Sequence, residues 1–208
     1  MGPPIFPALV HTPGWSAIRQ WLKDGGVLGF PAEHAYALSE VPLWRDLEDP
    51  LRIYRIKGRH QAKAILYLAG SIEIVARFAY LPNDLRRRRF LEDRSIFLTV
   101  LLPARPLAHS LGMSKNGKVA FRIPPDPVLR DFLVYLDAPL SGTSLNPSGT
   151  PPLTHPEEIN RVFPDLALVD GGFRPGLPVS PIVDLSNVQR KVVRGSWRQF
   201  SRPLTGRT

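Results

Sequence analysis

Between Trp15 and Leu22 the apolar residues fall at Trp15, Ile18, Trp21 and Leu22, one face of a helix, and Gly25-Gly26 marks its end. This predicts a helix over Trp15 to Lys23 and a strand over Val27 to Phe30. A second helix is expected from Asp46 to Arg55, then a loop carrying Lys57 and Arg59, then an apolar strand from Ala64 to Leu68. Helices follow at Ile72 to Ala79 and Leu85 to Glu92, and strands at Phe97 to Leu102 and Lys118 to Ile123. Asp126 to Leu136 reads as a helix with Pro127 in its first turn. Pro139 to Thr143 is a strand, and the polar Ser144 to Thr154 loop leads to a helix near Pro156 to Val162, with Thr154 favoured over His155 as its cap. Strands at Leu166 to Val169, Ile182 to Leu185 and Lys191 to Arg194 end the pattern. Mixing helices and strands in this way gives an α/β domain with a large, mixed, twisted sheet.

The 208 residues suit one domain, spanning residues 1–208, and the 23 prolines and 16 glycines are spread as turns with no single linker or internal repeat. Trp15, Trp21 and Phe30 are expected in the core. The absence of cysteine excludes disulfide scaffolds, thiolate metal sites and a cysteine nucleophile. Neither a signal-peptide pattern nor a membrane-spanning apolar run is legible, so the cytoplasm is the expected location. A formal net charge of +9, from 27 Lys and Arg against 18 Asp and Glu, favours anionic partners such as nucleotides or RNA. The densest basic run, Arg86-Arg87-Arg88-Arg89, is either a solvated helix face or a phosphate contact.

Two segments carry candidate chemistry. In Lys57-Gly58-Arg59 an extended backbone would send both cations to one side, with Gly58 leaving room for a ligand, and the pair suits a triphosphate. In Ser141-Gly142-Thr143-Ser144-Leu145-Asn146-Pro147-Ser148-Gly149, the Ser144 hydroxyl and the Asn146 carboxamide lie two residues apart and can surround a ribose, a phosphate or an amino-acid head group. The same residue types also make ordinary polar turns. Asp170 and Asp184 read as anchors of turns and strand ends, and His11, His60 and His109 stand without a ligand constellation, so no residue is assigned to a metal.

From about Gly25 to about Gly195 the chain resembles a YrdC-type domain, the family of threonylcarbamoyl-AMP synthases, in its short single-domain form with brief terminal extensions. The resemblance runs in order through Phe30-Pro31, Lys57-Gly58-Arg59 with Lys63, Leu98-Thr99-Val100-Leu101-Leu102-Pro103, Val119-Ala120-Phe121-Arg122-Ile123-Pro124 and Thr143-Ser144-Leu145-Asn146-Pro147-Ser148-Gly149. It continues through Val169-Asp170-Gly171-Gly172, Ile182-Val183-Asp184-Leu185 and Val193-Arg194-Gly195. It implies a basic concave cavity in which ATP, bicarbonate and L-threonine give threonylcarbamoyl-adenylate and pyrophosphate, with Mg2+ held through the ATP phosphates. It further implies that a downstream transferase passes the threonylcarbamoyl group to tRNA, and it leaves tRNA or double-stranded RNA as a possible partner.

On that resemblance Lys57 and Arg59 are the catalytic cations. Arg122, Thr143, Ser144, Asn146, Ser180 and Arg194 join them around the nucleotide, while His34, Tyr36 and Lys63 serve the amino acid. The chain departs from the family at Pro31-Ala32-Glu33-His34-Ala35-Tyr36-Ala37-Leu38-Ser39, where the family's Pro-Thr-Glu-Thr has lost both threonines and His34 offers a ring nitrogen in place of one hydroxyl. Ala37 is similar to the YciO branch, so the alternative is a divergent nucleotide- or RNA-binding paralogue without threonine-dependent activity.

Overall fold

The computed structural model describes residues 2–10, 12–33, 35–44, 52–58, 60, 64–93, 97–176, 180–187, 189 and 191–195. In chain order the first elements are β1 (Ile5–Phe6), α1 (Trp15–Lys23), β2 (Leu28–Pro31), β3 (Tyr36–Ser39), α2 (Arg52–Lys57) and β4 (Leu66–Leu68). They are followed by α3 (Ile72–Phe78), α4 (Leu85–Glu92), β5 (Thr99–Pro103), α5 (Pro106–Ser110), β6 (Lys118–Arg122) and α6 (Pro127–Leu136). The last are β7 (Leu140–Ser144), α7 (Pro156–Val162), β8 (Ala167–Val169), β9 (Ile182–Asp184) and β10 (Lys191–Arg194). These elements fall into two compact units, Met1–Ile65 with Leu140–Pro178 and Leu66–Pro139 with Val179–Thr208.

In the first unit the strands pair in the order β1-β8-β2-β3-β7. The β1–β8 and β2–β8 pairs are parallel, and β2–β3 and β3–β7 are antiparallel. All four residues of β2 are buried, and so are all four of β3, as expected of strands covered on both faces. Helix α1 contributes Ile18 and Leu22 to this core. Trp15 and Trp21 lie at its margin, only partly buried, each giving its indole N–H to a backbone carbonyl, Leu9 at 2.7 Å and Val27 at 3.2 Å. This corrects the expectation that both tryptophans are core residues: an indole N–H must keep a partner, and these two keep theirs from half-buried positions. Phe30 is fully buried as expected.

The second unit has the order β4-β6-β5-β9-β10, with β4–β6 and β5–β9 parallel and β5–β6 and β9–β10 antiparallel. Phe121 on β6 packs against Phe78 of α3 and Tyr67 of β4, with ring centroids 6.3 and 6.1 Å apart. Asp126 caps α6, its carboxylate accepting from the Leu129 N–H at 2.9 Å, and Pro127 occupies the first turn as predicted. Mixed pairing in both units makes the chain α/β, in agreement with the sequence reading.

Most elements lie within two residues of their expected limits. Three were not expected: β1, β3 and α5. The helix forecast from Asp46 is seen only as α2, since residues 45–51 lie outside the described set. At α7 the cap position belongs to His155 rather than Thr154, and the His155 side chain makes no capping bond; instead Thr154 Oγ1 lies 3.0 Å from His155 Nδ1. The two side chains satisfy each other locally, which removes the acceptor that a Thr154 cap would have supplied. No helix of the described residues is long and apolar enough to cross a membrane.

Asp184 closes β9 by accepting from Lys118 Nζ at 2.5 Å and from the Ser186 N–H and hydroxyl at 2.9 and 2.6 Å, the strand-end role expected of it. Burial raises its proton affinity, but the Lys118 and Ser186 bonds outweigh burial and hold the carboxyl below the usual carboxylate range. A carboxyl lowered on folding stabilises above its unfolded value, near 4, and loses that contribution as pH falls through the folded value. Asp184→Asn is therefore expected to lower stability by about 1–3 kcal/mol at pH 7, and urea titrations at pH 7 and pH 3 should show the gap narrowing in acid. Asp126→Ala is expected to lower stability by about 1 kcal/mol through the lost cap, or Tm by about 2–4 °C on thermal melting.

Candidate functional site

In the first unit the decisive residue is Lys57. It was expected in an extended loop with Arg59, but it is the last residue of α2, and Gly58 follows in the left-handed conformation at φ 59°. Gly58 N–H returns to the Arg55 carbonyl at 3.1 Å, so this glycine ends a helix rather than making room for a ligand. Arg59, His34 and Lys63 lie outside the described residues. The helix end carries Lys57 inward until it is only 4% exposed.

The buried ammonium donates to Ser144 Oγ at 2.9 Å, to Asn146 Oδ1 at 2.8 Å and to the Ser144 carbonyl. The Ser144 hydroxyl also donates to Asn146 Oδ1 at 2.8 Å, and Asn146 Nδ2 donates to the Pro147 carbonyl at 3.0 Å and to the Thr150 carbonyl. A cation withdrawn from water needs a full set of acceptors, and the Ser144–Thr150 loop supplies them. The structure thus brings together three of the predicted residues, Lys57, Ser144 and Asn146, around one charge. Thr143 is buried on β7 beside them. The 2.8–2.9 Å contacts leave the two side-chain oxygens fixed in place next to a positive charge, an arrangement suited to aligning an anionic or hydroxyl-bearing ligand.

Tyr36 stands on β3, whose backbone joins the same loop. Leu145 N–H donates to the Tyr36 carbonyl at 2.7 Å, and Tyr36 N–H donates to the Leu153 carbonyl at 3.1 Å. Its hydroxyl donates to the Gly172 carbonyl and accepts from the Gly171 N–H, both at 2.9 Å. Burial pushes the phenol above its usual value, and the Gly171 N–H, then the Arg174 charge, pull it partway back. Asp170, as expected of a turn anchor, accepts from the Gly172 N–H at 2.9 Å.

In the second unit the structure brings together Arg122, Ser180 and Arg194. Arg194 directs Nε and Nη2 onto the Ser180 carbonyl at 3.0 and 2.7 Å. The Ser180 hydroxyl is 2.7 Å from Thr99 Oγ1, and Arg122 lies over the Phe97 ring at 4.6 Å. Arg194 as a residue is exposed, but its guanidinium turns inward, and its proton affinity is lowered first by burial and then by the Arg122 charge. Two like charges that act on each other create a local field that favours a polyanion. Thr99 was missed as a partner, although its place as the second residue of the apolar Leu98-Thr99-Val100-Leu101-Leu102-Pro103 run offered a signal: a buried hydroxyl in an apolar run must be bonded.

The chain matches the Sua5/YciO/YrdC family model, described as telomere recombination, over residues 20–196. It is 30% identical over 158 residues to a threonylcarbamoyl-AMP synthase of Hydrogenovibrio crunogenus, covering 74% of this chain and 84% of that protein. It is 28% identical over 181 residues to a threonylcarbamoyl-AMP synthase of Dichelobacter nodosus, covering 86% and 92%. Among solved structures, P. abyssi Sua5 complexed with L-threonine superposes with a TM-score of 0.77 at 21% identity over 93% of this chain, which spans 57% of that longer protein. E. coli YciO superposes with a TM-score of 0.77 at 20% identity, covering 96% of this chain and 98% of its own. With the family model covering most of its length, the chain belongs to the Sua5/YciO/YrdC family.

Proposed function

We propose that this protein is an L-threonylcarbamoyladenylate synthase, which condenses ATP, bicarbonate and L-threonine and serves the tRNA threonylcarbamoyladenosine pathway. The observation that carries the reading is the cation pair of the second unit: Arg194 is fixed on the Ser180 carbonyl with its guanidinium turned inward, and its proton affinity is lowered first by burial and then by the Arg122 charge. The names of the two bacterial relatives support the reaction class, and the L-threonine named for P. abyssi Sua5 supports the amino acid.

In this reaction the threonine amine adds to bicarbonate with loss of water, giving a carbamate. A carbamate oxygen then attacks the α-phosphorus of ATP, forming the mixed anhydride and releasing pyrophosphate. No side-chain nucleophile is required, so the residues act by positioning and by stabilising charge. Arg122 and Arg194 take phosphate oxygens, and Ser180 fixes Arg194. Ser144 and Asn146 orient the nucleotide, while Lys57, with Arg59 beside it in the sequence, neutralises the charge that develops on the carbamate and the pyrophosphate. Thr143 supports the strand that presents Ser144. Neutral oxygens such as Ser144 Oγ and Asn146 Oδ1 suit Mg2+ only as a supplement to phosphate, and among the described residues no group of three His, Asp or Glu could hold a metal. Mg2+ would be carried by the ATP phosphates, and tRNA and the downstream transferase would meet the product.

Arg122→Ala and Arg194→Ala are expected to raise the KM for ATP about 10-fold or more, the effect of losing one charged hydrogen bond. Lys57→Met, which removes the charge together with the anchor of Ser144 and Asn146, is expected to lower kcat/KM by about 100-fold or more. Chromatographic detection of the adenylate and of pyrophosphate tests both. Wild-type rates in all three variants contradict the proposal, and salt-sensitive RNA binding with no ATP turnover favours the divergent paralogue.

A further inference from the structure

Arg174 is a cation that neither the fold nor the reaction above has used. It leaves β8 in the turn Asp170-Gly171-Gly172-Phe173-Arg174 and is half-buried. Its N–H donates to the Thr154 carbonyl at 2.9 Å and its Nη2 to the Gly171 carbonyl at 2.7 Å, while Nε is enclosed with no acceptor. Among the described residues it forms no ion pair. Asp170, the acid of its own turn, is exposed and accepts from the Gly172 N–H. The Gly171 carbonyl and the Tyr36 hydroxyl are the acceptors around the five donors of the Arg174 guanidinium, Nε has none, and among the described residues no carboxylate offsets its charge; the group it fits best is a planar oxyanion taken in a fork.

Its place says which oxyanion. A Cβ built on Gly171 would lie 2.3 Å from Arg174 Nη2 and 2.4 Å from Pro31 Cβ, so the guanidinium, Gly171 and Pro31 are packed at one spot. The Tyr36 hydroxyl clasps Gly171 and Gly172 and fixes the turn there. The cation is therefore held against both ends of the Pro31 to Tyr36 stretch. The Tyr36 hydroxyl, bonded to Gly172, Gly171 and the Arg174 side chain, acts on a ligand by holding this turn and its guanidinium.

We propose that Arg174 binds the α-carboxylate of the amino-acid substrate and that Tyr36 is the positioning residue that holds it there. The inference rests on the amino-acid-activating reading and adds to it the residue that recognises the acid end of the amino acid. A carboxylate there supplies the guanidinium with the acceptors and counter-charge that the described residues do not.

The test compares L-threonine with L-threoninol, which lacks the carboxylate, by calorimetry on the whole protein with ATP and Mg2+ present. The wild type is expected to bind L-threonine about 10-fold or more tightly than L-threoninol, as one charged hydrogen-bonded contact implies. Arg174→Met is expected to reduce that preference to about twofold, with Arg174→Lys intermediate because an ammonium cannot fork. Tyr36→Phe is expected to raise the KM for L-threonine without a matching rise in the KM for ATP. An unchanged preference in Arg174→Met overturns the inference, as does an equal loss of ATP and L-threonine affinity in a variant whose melting curve matches the wild type. If the wild type makes the adenylate and Arg174→Met keeps its KM for L-threonine, this assignment alone falls. If the wild type makes no adenylate and binds no amino acid, both readings fall.

Discussion

The first unit is organised by the need to satisfy one buried ammonium. Lys57 is carried inside by the end of α2, and an unsatisfied charge there would destabilise the fold by several kcal/mol. Ser144 and Asn146 meet that need, and their engagement shapes the loop beyond them. With Asn146 Oδ1 on Lys57, its amide group points the other way and gathers the Pro147 and Thr150 carbonyls. Leu145 and Leu153 then tie the loop to the Tyr36 backbone on β3. A helix terminus, a strand end and a loop thus share one electrostatic constraint, which Ser144 and Asn146 meet.

The second unit solves a related problem with arginine. Arg194 is steadied by a single carbonyl, and its proton affinity is lowered first by burial and then by the Arg122 charge. The Thr99–Ser180 hydroxyl pair locks the residue that holds it. On the proposed reading, such preorganisation would lower the cost of assembling cations around a polyphosphate, because folding has already brought them together. Lys118 and Asp184 show the opposite use of charge, a lysine paired with a carboxylate to close a strand.

Much of the fold was legible because its elements are long or strongly patterned. Helix α1 announced itself by the spacing of Trp15, Ile18 and Leu22, and α6 by Asp126 and Pro127. Strand β3 was not legible, since Tyr36-Ala37-Leu38-Ser39 has no β-branched residue, and its strand character comes from pairing with β2 and β7. The grouping of Ser144 with Asn146 was legible from their spacing. Lys57 was picked out by its place in Lys57-Gly58-Arg59 but not in its setting: a glycine just after the helix expected to end at Arg55, with basic residues in its last turn, is itself a helix-stop signal, and reading it as room for a ligand hid this. Arg174 went unnoticed for a different reason. An arginine in a turn is ordinary, and only its packing against Gly171 and Pro31, with no carboxylate paired to it among the described residues, sets it apart.

The central claim is that this protein takes a nucleotide and an amino acid together. Calorimetric titration of ATP with Mg2+, run with and without L-threonine and bicarbonate, tests it most directly. The account predicts that ATP binds and that L-threonine with bicarbonate strengthens or consumes the complex. ATP binding that is indifferent to L-threonine and to every other amino acid would contradict it.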